Sequence, residues 1–246
     1  MPSPLVLEAC VANIESALAA EKAGADRLEL CNVLGAGGIS PSYGLIEAVS
    51  KKVSIPVHVL IRPREGDFLY SSGEFEVMKR DIEVCKELGV SGIVMGILKE
   101  NGSVDIERCR ELMTAAQPMS ITFHRAFDLA ADAFTSLEEI IQLGCHRILT
   151  SGQRASAAHG AGFISGLISQ ANGRIIIMAG GGINEKNIAQ LRKTSGAREF
   201  QLSARMVKPS SMLYRNEFVI MSGEELDEYS YDILDAERFR KVRENA

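Results

Sequence analysis

Charged, imidazole and thiol side chains recur inside short apolar stretches of this chain, where they cost most to keep. Glu8 and Cys10 alternate in the run Leu5–Cys10, and Arg27, Glu29 and Cys31 alternate in Asp26–Cys31. His58 and Arg62 stand in Pro56–Arg62, which leads on to Arg64 and Asp67. His124 closes Ser120–His124 and is followed by Arg125 and Asp128, while Ser151 follows Arg147–Thr150. Alternate residues of a strand share a face, so inward-turned faces would gather these groups near one opening. Glu8, Glu29, His58 and His124 are candidate acids and bases, because burial and neighbouring charges can tune such groups toward neutral pH. Arg62, Arg64 and Arg125 are candidate clamps for an anion, with Arg27, Asp67, Asp128 and Ser151 as further polar contacts. One buried Arg27–Glu29 pair could serve register alone. Two glutamates, two histidines and three arginines at strand ends favour a site, since buried charges are costly unless well paired. His146 and His159 read as ordinary residues.

Two further patterns carry chemistry. Gly180, Gly181 and Gly182 join an apolar run to a helical segment, and Gln201–Arg205, with Ser203 and Arg205, ends the next run. Glycines let a backbone approach an anion closely, and a helix N-terminus there would complete a phosphate cradle. A tight glycine-rich turn explains the same residues without a ligand. The second pattern is the near-repeat Leu-Glu-Ala-Cys at 7–10 and Leu-Glu-Leu-Cys at 28–31. Neighbouring parallel strands lie about 4.8 Å apart, so Cys10 and Cys31 could stand side by side. Paired reduced thiols suit a soft, low-coordinate ion such as Cu(I). Zinc would want more ligands than this spacing supplies, and two small residues packed under loops remain the plain alternative. Carboxylates with imidazoles would instead hold a hard divalent metal.

Such groups need a scaffold that brings many strand ends together. Strand-like and helix-like segments alternate through the chain: strands at 5–10, 26–31, 56–62, 91–95, 120–124, 147–150, 174–178 and 199–203. The intervening helices fall at 11–23, 41–53, 74–88, 105–116, 136–143, 161–171 and 184–194, with a last one at 234–242. The alternation predicts a parallel sheet. No glycine-rich dinucleotide fingerprint follows the first strand, which favours closure over a doubly wound sheet. The expected fold is therefore α/β, a single (β/α)8 TIM-type barrel over residues 1–246, with a core at about 5–206 and an irregular extension at 207–246. A barrel of this type has about 250 residues and places its site at the C-terminal ends of the strands.

Composition narrows the partners. The net charge is −5, which gives no reason to expect nucleic acid or an anionic membrane. No apolar run is long enough to span a bilayer, and the opening Met1-Pro2-Ser3-Pro4 shows no basic leader. Five scattered cysteines argue for reduced thiols and a cytosolic setting, with Cys85, Cys109 and Cys145 as small buried residues in helices or just after one. The acidic run Glu224–Glu228 reads as a solvated surface or helix start. A homo-oligomer, dimer or larger, is expected because barrels commonly assemble.

The chain also resembles the CutC copper-homeostasis family. The likeness is carried by GADRLELC (24–31), GGISPS (37–42), IPVHVLIRPREGDFLYS (55–71), ITFHRAFD (121–128), RILTSG (147–152), MAGGGI (178–183), SAR (203–205) and YRN (214–216). It implies a TIM-like fold, a role in cytosolic copper tolerance or trafficking, and Cu(I) bound at Cys10 and Cys31. Two departures stand out. Gln201 occupies the place of a usual histidine, and Glu65 replaces a glycine beside Arg62 and Arg64, adding a negative charge that would weaken anion binding. The Glu, His and Arg residues are not soft copper ligands, so an enzyme acting on a small anionic or phosphorylated metabolite stands as the alternative.

Overall fold

Eight parallel strands close into a barrel in the computed structural model, which describes residues 5–216, 218–219 and 227–246. The strands are β1 Val6–Val11, β2 Arg27–Leu30, β3 Val57–Leu60, β4 Gly92–Met95, β5 Ser120–Phe123, β6 Arg147–Thr150, β7 Ile176–Gly180 and β8 Glu199–Leu202, paired in chain order with β8 returning to β1. Seven helices wrap the barrel between strands: α1 Ile14–Lys22, α2 Tyr43–Ser50, α3 Ser72–Glu87, α4 Ile106–Ala116, α5 Ala133–Leu143, α6 Ala161–Ala171 and α7 Ile188–Ser195. The eighth, α8 Ala236–Asn245, follows an antiparallel ribbon of β9 Arg205–Pro209 and β10 Ser230–Leu234. The expected closed α/β barrel is the observed one.

Local chemistry sets where the helices begin. Asn13, Ser42, Ser71, Asp105, Asp132 and Asp235 each accept a backbone N–H of the first turn, and Ser71 with Glu74 forms a full capping box. Pro41 therefore precedes the cap of α2 rather than opening the helix as the sequence reading had it. Larger differences lie elsewhere. Helix α7 starts at Ile188, four residues later than expected, so it does not spring from the three glycines. Short 3-10 turns at Leu34–Ala36 and Arg125–Leu129, and the β9–β10 ribbon, carry no periodic pattern that would reveal them in sequence.

The apolar core is the layer between barrel and helices, with Leu7, Leu28, Ile61, Phe123, Phe127 and Phe200 fully enclosed. Cys85, Cys109 and Cys145 are buried in this layer as expected. The C-terminal extension is tied to the barrel rather than loose. Asn13 donates to the Asp232 carbonyl, Leu234 N–H donates to Ser16, and Phe239 and Val242 are buried. Residues 1–4 and most of the acidic run at 224–228 lie outside the described residues. No helix of the described residues is long and apolar enough to cross a membrane.

Candidate functional site

Inside the barrel the polar residues divide into two levels. The lower level is a closed ionic set. The Arg27 guanidinium donates to Glu8 through Nε and to Glu199 through Nη2 at 2.7 Å. Arg147 Nε stands 3.3 Å from the same Glu199 carboxylate, an ion pair without hydrogen-bond geometry, while its Nη1 donates to Ser120 and Thr122. All four charged residues are at most 9% exposed. Burial works against the charge of Arg27, yet the two carboxylates outweigh it and hold its pKa above the ordinary range. Arg147 is lowered, first by burial and then by Arg27, because it has only an edge of Glu199. Two acids and two bases thus neutralise one another.

His58 belongs to this level. A Cβ on Gly92 would lie 2.6 Å from its ring, so β4 needs glycine there to admit the imidazole. Burial, then the charges of Arg27 and Arg147, push its pKa down to about 2. Its Nδ1 is buried without a partner. Neither His58 nor Glu8 lines the cavity at the C-terminal ends of the strands.

Above this floor lies a cavity of about 290 Å³ at the C-terminal ends of the strands. Its wall includes Cys10, Glu29, Arg62, His124, Arg125, Gly181, Gly182, Ser203 and Arg205 from the sequence-predicted set, along with Gln201. The opening is where the strand-end reading placed it. Glu8, Arg27, Cys31, His58, Arg64, Asp67, Asp128, Ser151 and Gly180 are not on that wall. Each has a visible reason. Arg64 ties a loop together through Glu74 at 2.6 Å, Asp67 at 3.1 Å and the Leu69 carbonyl. Glu65 is exposed and uses only its carbonyl on Arg64, so it does not face the cavity. The Asp128 carboxylate accepts from Arg125, Thr150, Ser151 and the Gln153 N–H, and Ser151 is enclosed in that same set. A Cβ on Gly180 would strike Leu149 at 2.4 Å, so this glycine serves packing. Gly181 and Gly182 do adopt left-handed backbone, with φ of 98° and 73°.

Glu29 and His124 are the wall's acid–base groups. Gln201 donates to Glu29, and burial followed by the nearby Glu8 carboxylate pushes the Glu29 pKa up to about 8. At neutral pH this residue is mostly an uncharged acid. The His124 ring lies against the Phe68 ring at 4.7 Å and requires Gly96, whose Cβ would come within 2.8 Å. Its Nδ1 accepts the Ala126 N–H at 3.2 Å, capping the 3-10 turn Arg125–Leu129. Burial, then Arg62, lower its pKa to about 3. A neutral ring whose Nδ1 is an acceptor carries its proton on Nε2. His124 thus offers a donor rather than an acceptor at Nε2. The other histidines are ordinary, as read: His146 accepts from the Ile121 N–H and His159 contacts Ser156.

At one edge of the mouth the Cys10 and Cys31 sulfurs lie 3.7 Å apart. Cys31 is fully buried and Cys10 half-buried on the cavity wall. The Cys31 contact, then burial, holds the Cys10 thiol well above its ordinary pKa. A thiol so held is a poor nucleophile. Among the described residues no group of three or more His, Cys, Asp or Glu side chains could hold a metal ion. The carboxylate–imidazole site for a hard divalent metal is therefore not assembled.

Sequence reasoning missed Glu199 and Arg147, which balance the floor, and the apolar wall of Leu34, Leu60, Phe68, Leu149 and Ile183. The signal for the first two was present, since Glu199 alternates with Gln201 and Ser203, and Arg147 with Leu149 and Ser151.

A profile of the CutC family matches residues 5–206. A CutC family protein from Chromobacterium violaceum is 46% identical over 239 residues, covering 97% of each chain. The human copper homeostasis protein cutC homolog is 47% identical, covering 96% of this chain and 87% of its own. A crystal structure assigned as a copper homeostasis protein CutC of Streptococcus agalactiae superposes with a TM-score of 0.77 at 34% identity, covering 80% of this chain and 97% of that one.

The buried His58 imidazole makes stability depend on acid. The unfolded chain takes up a proton at His58 near pH 6.5, and the folded chain refuses it until about pH 2. The contribution is complete above the unfolded value and is lost as pH falls below it. Compared with a His58→Gln variant, the wild type is expected to lose about 1 kcal/mol of relative stability per pH unit below about pH 6. Urea unfolding of both proteins between about pH 7 and 4.5 checks this. A stability difference that does not change with pH contradicts it.

Proposed function

The chain belongs to the CutC family, and on that premise we propose that it serves copper homeostasis by holding Cu(I) between Cys10 and Cys31. The observation that carries this reading is the 3.7 Å separation of the two sulfurs at the cavity edge. Two soft donors, with no third His, Cys, Asp or Glu grouped with them among the described residues, suit Cu(I) and leave zinc under-coordinated. Copper is cargo here, reaching the pair from the side on which Cys10 meets the cavity. Five free thiols suit a reducing, cytosolic setting.

An anaerobic Cu(I) titration against a competing chelator tests the proposal. The wild type is expected to take up one equivalent tightly, and Cys10→Ser/Cys31→Ser to lose that binding by at least about a hundredfold. Equal affinity in both proteins would remove copper from this site.

Self-association is the second part of the reading. Met212, Leu213, Tyr214 and Phe218, between the two ribbon strands, expose large apolar side chains. Such a concentration is costly to leave in water, and a second copy of the chain would cover it. Sedimentation at micromolar concentration is expected to give a dimer or larger, and a monomer there would contradict it.

A further inference from the structure

The cavity wall holds a cation without a counter-charge. Arg62 is 6% exposed, and its guanidinium donates to three backbone carbonyls: Ala36 at 3.0 Å, Gly38 at 2.6 Å and Gly66 at 2.7 Å. Its remaining flank lies 5.0 Å from the centre of the Phe68 ring. These contacts satisfy hydrogen-bond donors and bring no negative charge. Among the described residues no carboxylate forms an ion pair with it, whereas the other two cavity arginines each have one, Arg125 with Asp128 and Arg205 with Asp232. Glu29, the one acid on the wall, is engaged by Gln201 instead. The Nε of Arg62 is buried without an acceptor in hydrogen-bond geometry, and the Tyr70 hydroxyl, a neutral group, is its polar neighbour.

A second group on the same wall lacks a partner. His124 is 4% exposed, and its Nε2 is buried without any hydrogen bond. Because Nδ1 accepts the Ala126 N–H, Nε2 carries the proton and waits for an acceptor. Phe68 packs on both residues, 4.7 Å from the His124 ring and 5.0 Å from Arg62, so the two donors share one side of the cavity. A buried cation without a counter-ion and a buried N–H without an acceptor each cost free energy. One occupant that is both negative and an acceptor removes both costs.

We infer that the mouth cavity is a binding site for a small organic oxyanion, a carboxylate or a phosphate ester, seated against Arg62 and accepting from His124 Nε2–H. The volume of about 290 Å³ suits a metabolite rather than a macromolecule. Leu34, Leu60, Leu149 and Ile183 give its remaining wall an apolar character, which fits a short carbon body attached to the anionic group. The anion is held chiefly by side chains of β3 and β5 and their loops. The left-handed Gly181 and Gly182, with Ser203, also line the cavity. This site uses neither sulfur of the thiol pair, so it stands apart from the copper reading.

Calorimetric titration of copper-free protein at low ionic strength tests the inference, with inorganic phosphate and glycolate as probes and chloride at matched ionic strength as the blank. At least one probe is expected to bind with millimolar or tighter affinity, and which one binds separates phosphate ester from carboxylate. His124→Asn is the decisive variant. Asparagine can keep the cap on the Ala126 N–H while deleting the Nε2 donor, so folding is retained and affinity falls by about tenfold or more. Arg62→Met removes the charge and is expected to abolish binding. Should that variant fail to fold, His124→Asn still decides. Cys10→Ser/Cys31→Ser is expected to bind the probe like the wild type, whatever its response to copper. No binding of either probe, or equal binding by wild type and His124→Asn, overturns the site.

Discussion

The Arg27 guanidinium, held between Glu8 and Glu199 inside the barrel, is the interaction on which the rest of this interior depends. A parallel barrel closes around whatever its strands point inward, and a charge trapped there must find its opposite within reach. Arg27 spans β1 and β8, the two strands whose pairing closes the ring, and Arg147 reaches the same Glu199 from β6. Removing one partner would leave an uncompensated buried charge, which costs far more than the net worth of the pair. The floor therefore commits its charges to ion pairs within the barrel interior.

That commitment shapes the mouth. Glu8 is consumed below, and its negative charge helps keep Glu29 protonated above. Among the described residues no carboxylate forms an ion pair with Arg62, and His124 presents a proton rather than a lone pair at Nε2. Neutral imidazoles serve as hydrogen-bond electrophiles in known enzyme sites. The thiol pair lies at the edge of the same cavity, with Cys10 on its wall. The sulfurs proposed for Cu(I) and the nitrogens inferred to meet an anion are thus neighbours with separate chemistries.

Much of this was legible in the sequence, and the failures have physical causes. Eight strand–helix alternations and the absence of a dinucleotide fingerprint pointed to the closed barrel, and the twin Leu-Glu-x-Cys runs pointed to adjacent thiols. Alternation tells which residues face inward but not how deep each lies. His58 and His124 therefore looked equivalent, although one sits with the ionic floor and the other on the cavity wall. The pairing of Arg27 with Glu199 joins residues far apart in the chain, so spacing could not show it. The tautomer of His124 depends on a single backbone N–H two residues on, a detail of loop geometry rather than pattern. The three glycines suggested a cradle opened by a helix, but the chain runs on to Asn187 before α7 is capped.

A floor that neutralises itself leaves a mouth with unpaired donors, and the protonation of His124 tests this most directly. Nitrogen-15 NMR of the histidine side chains in ligand-free protein reads it without mutation. The expected result is a neutral His124 ring with its proton on Nε2 at neutral pH, still neutral near pH 5. A ring protonated on Nδ1, or a charged imidazolium at neutral pH, would contradict it.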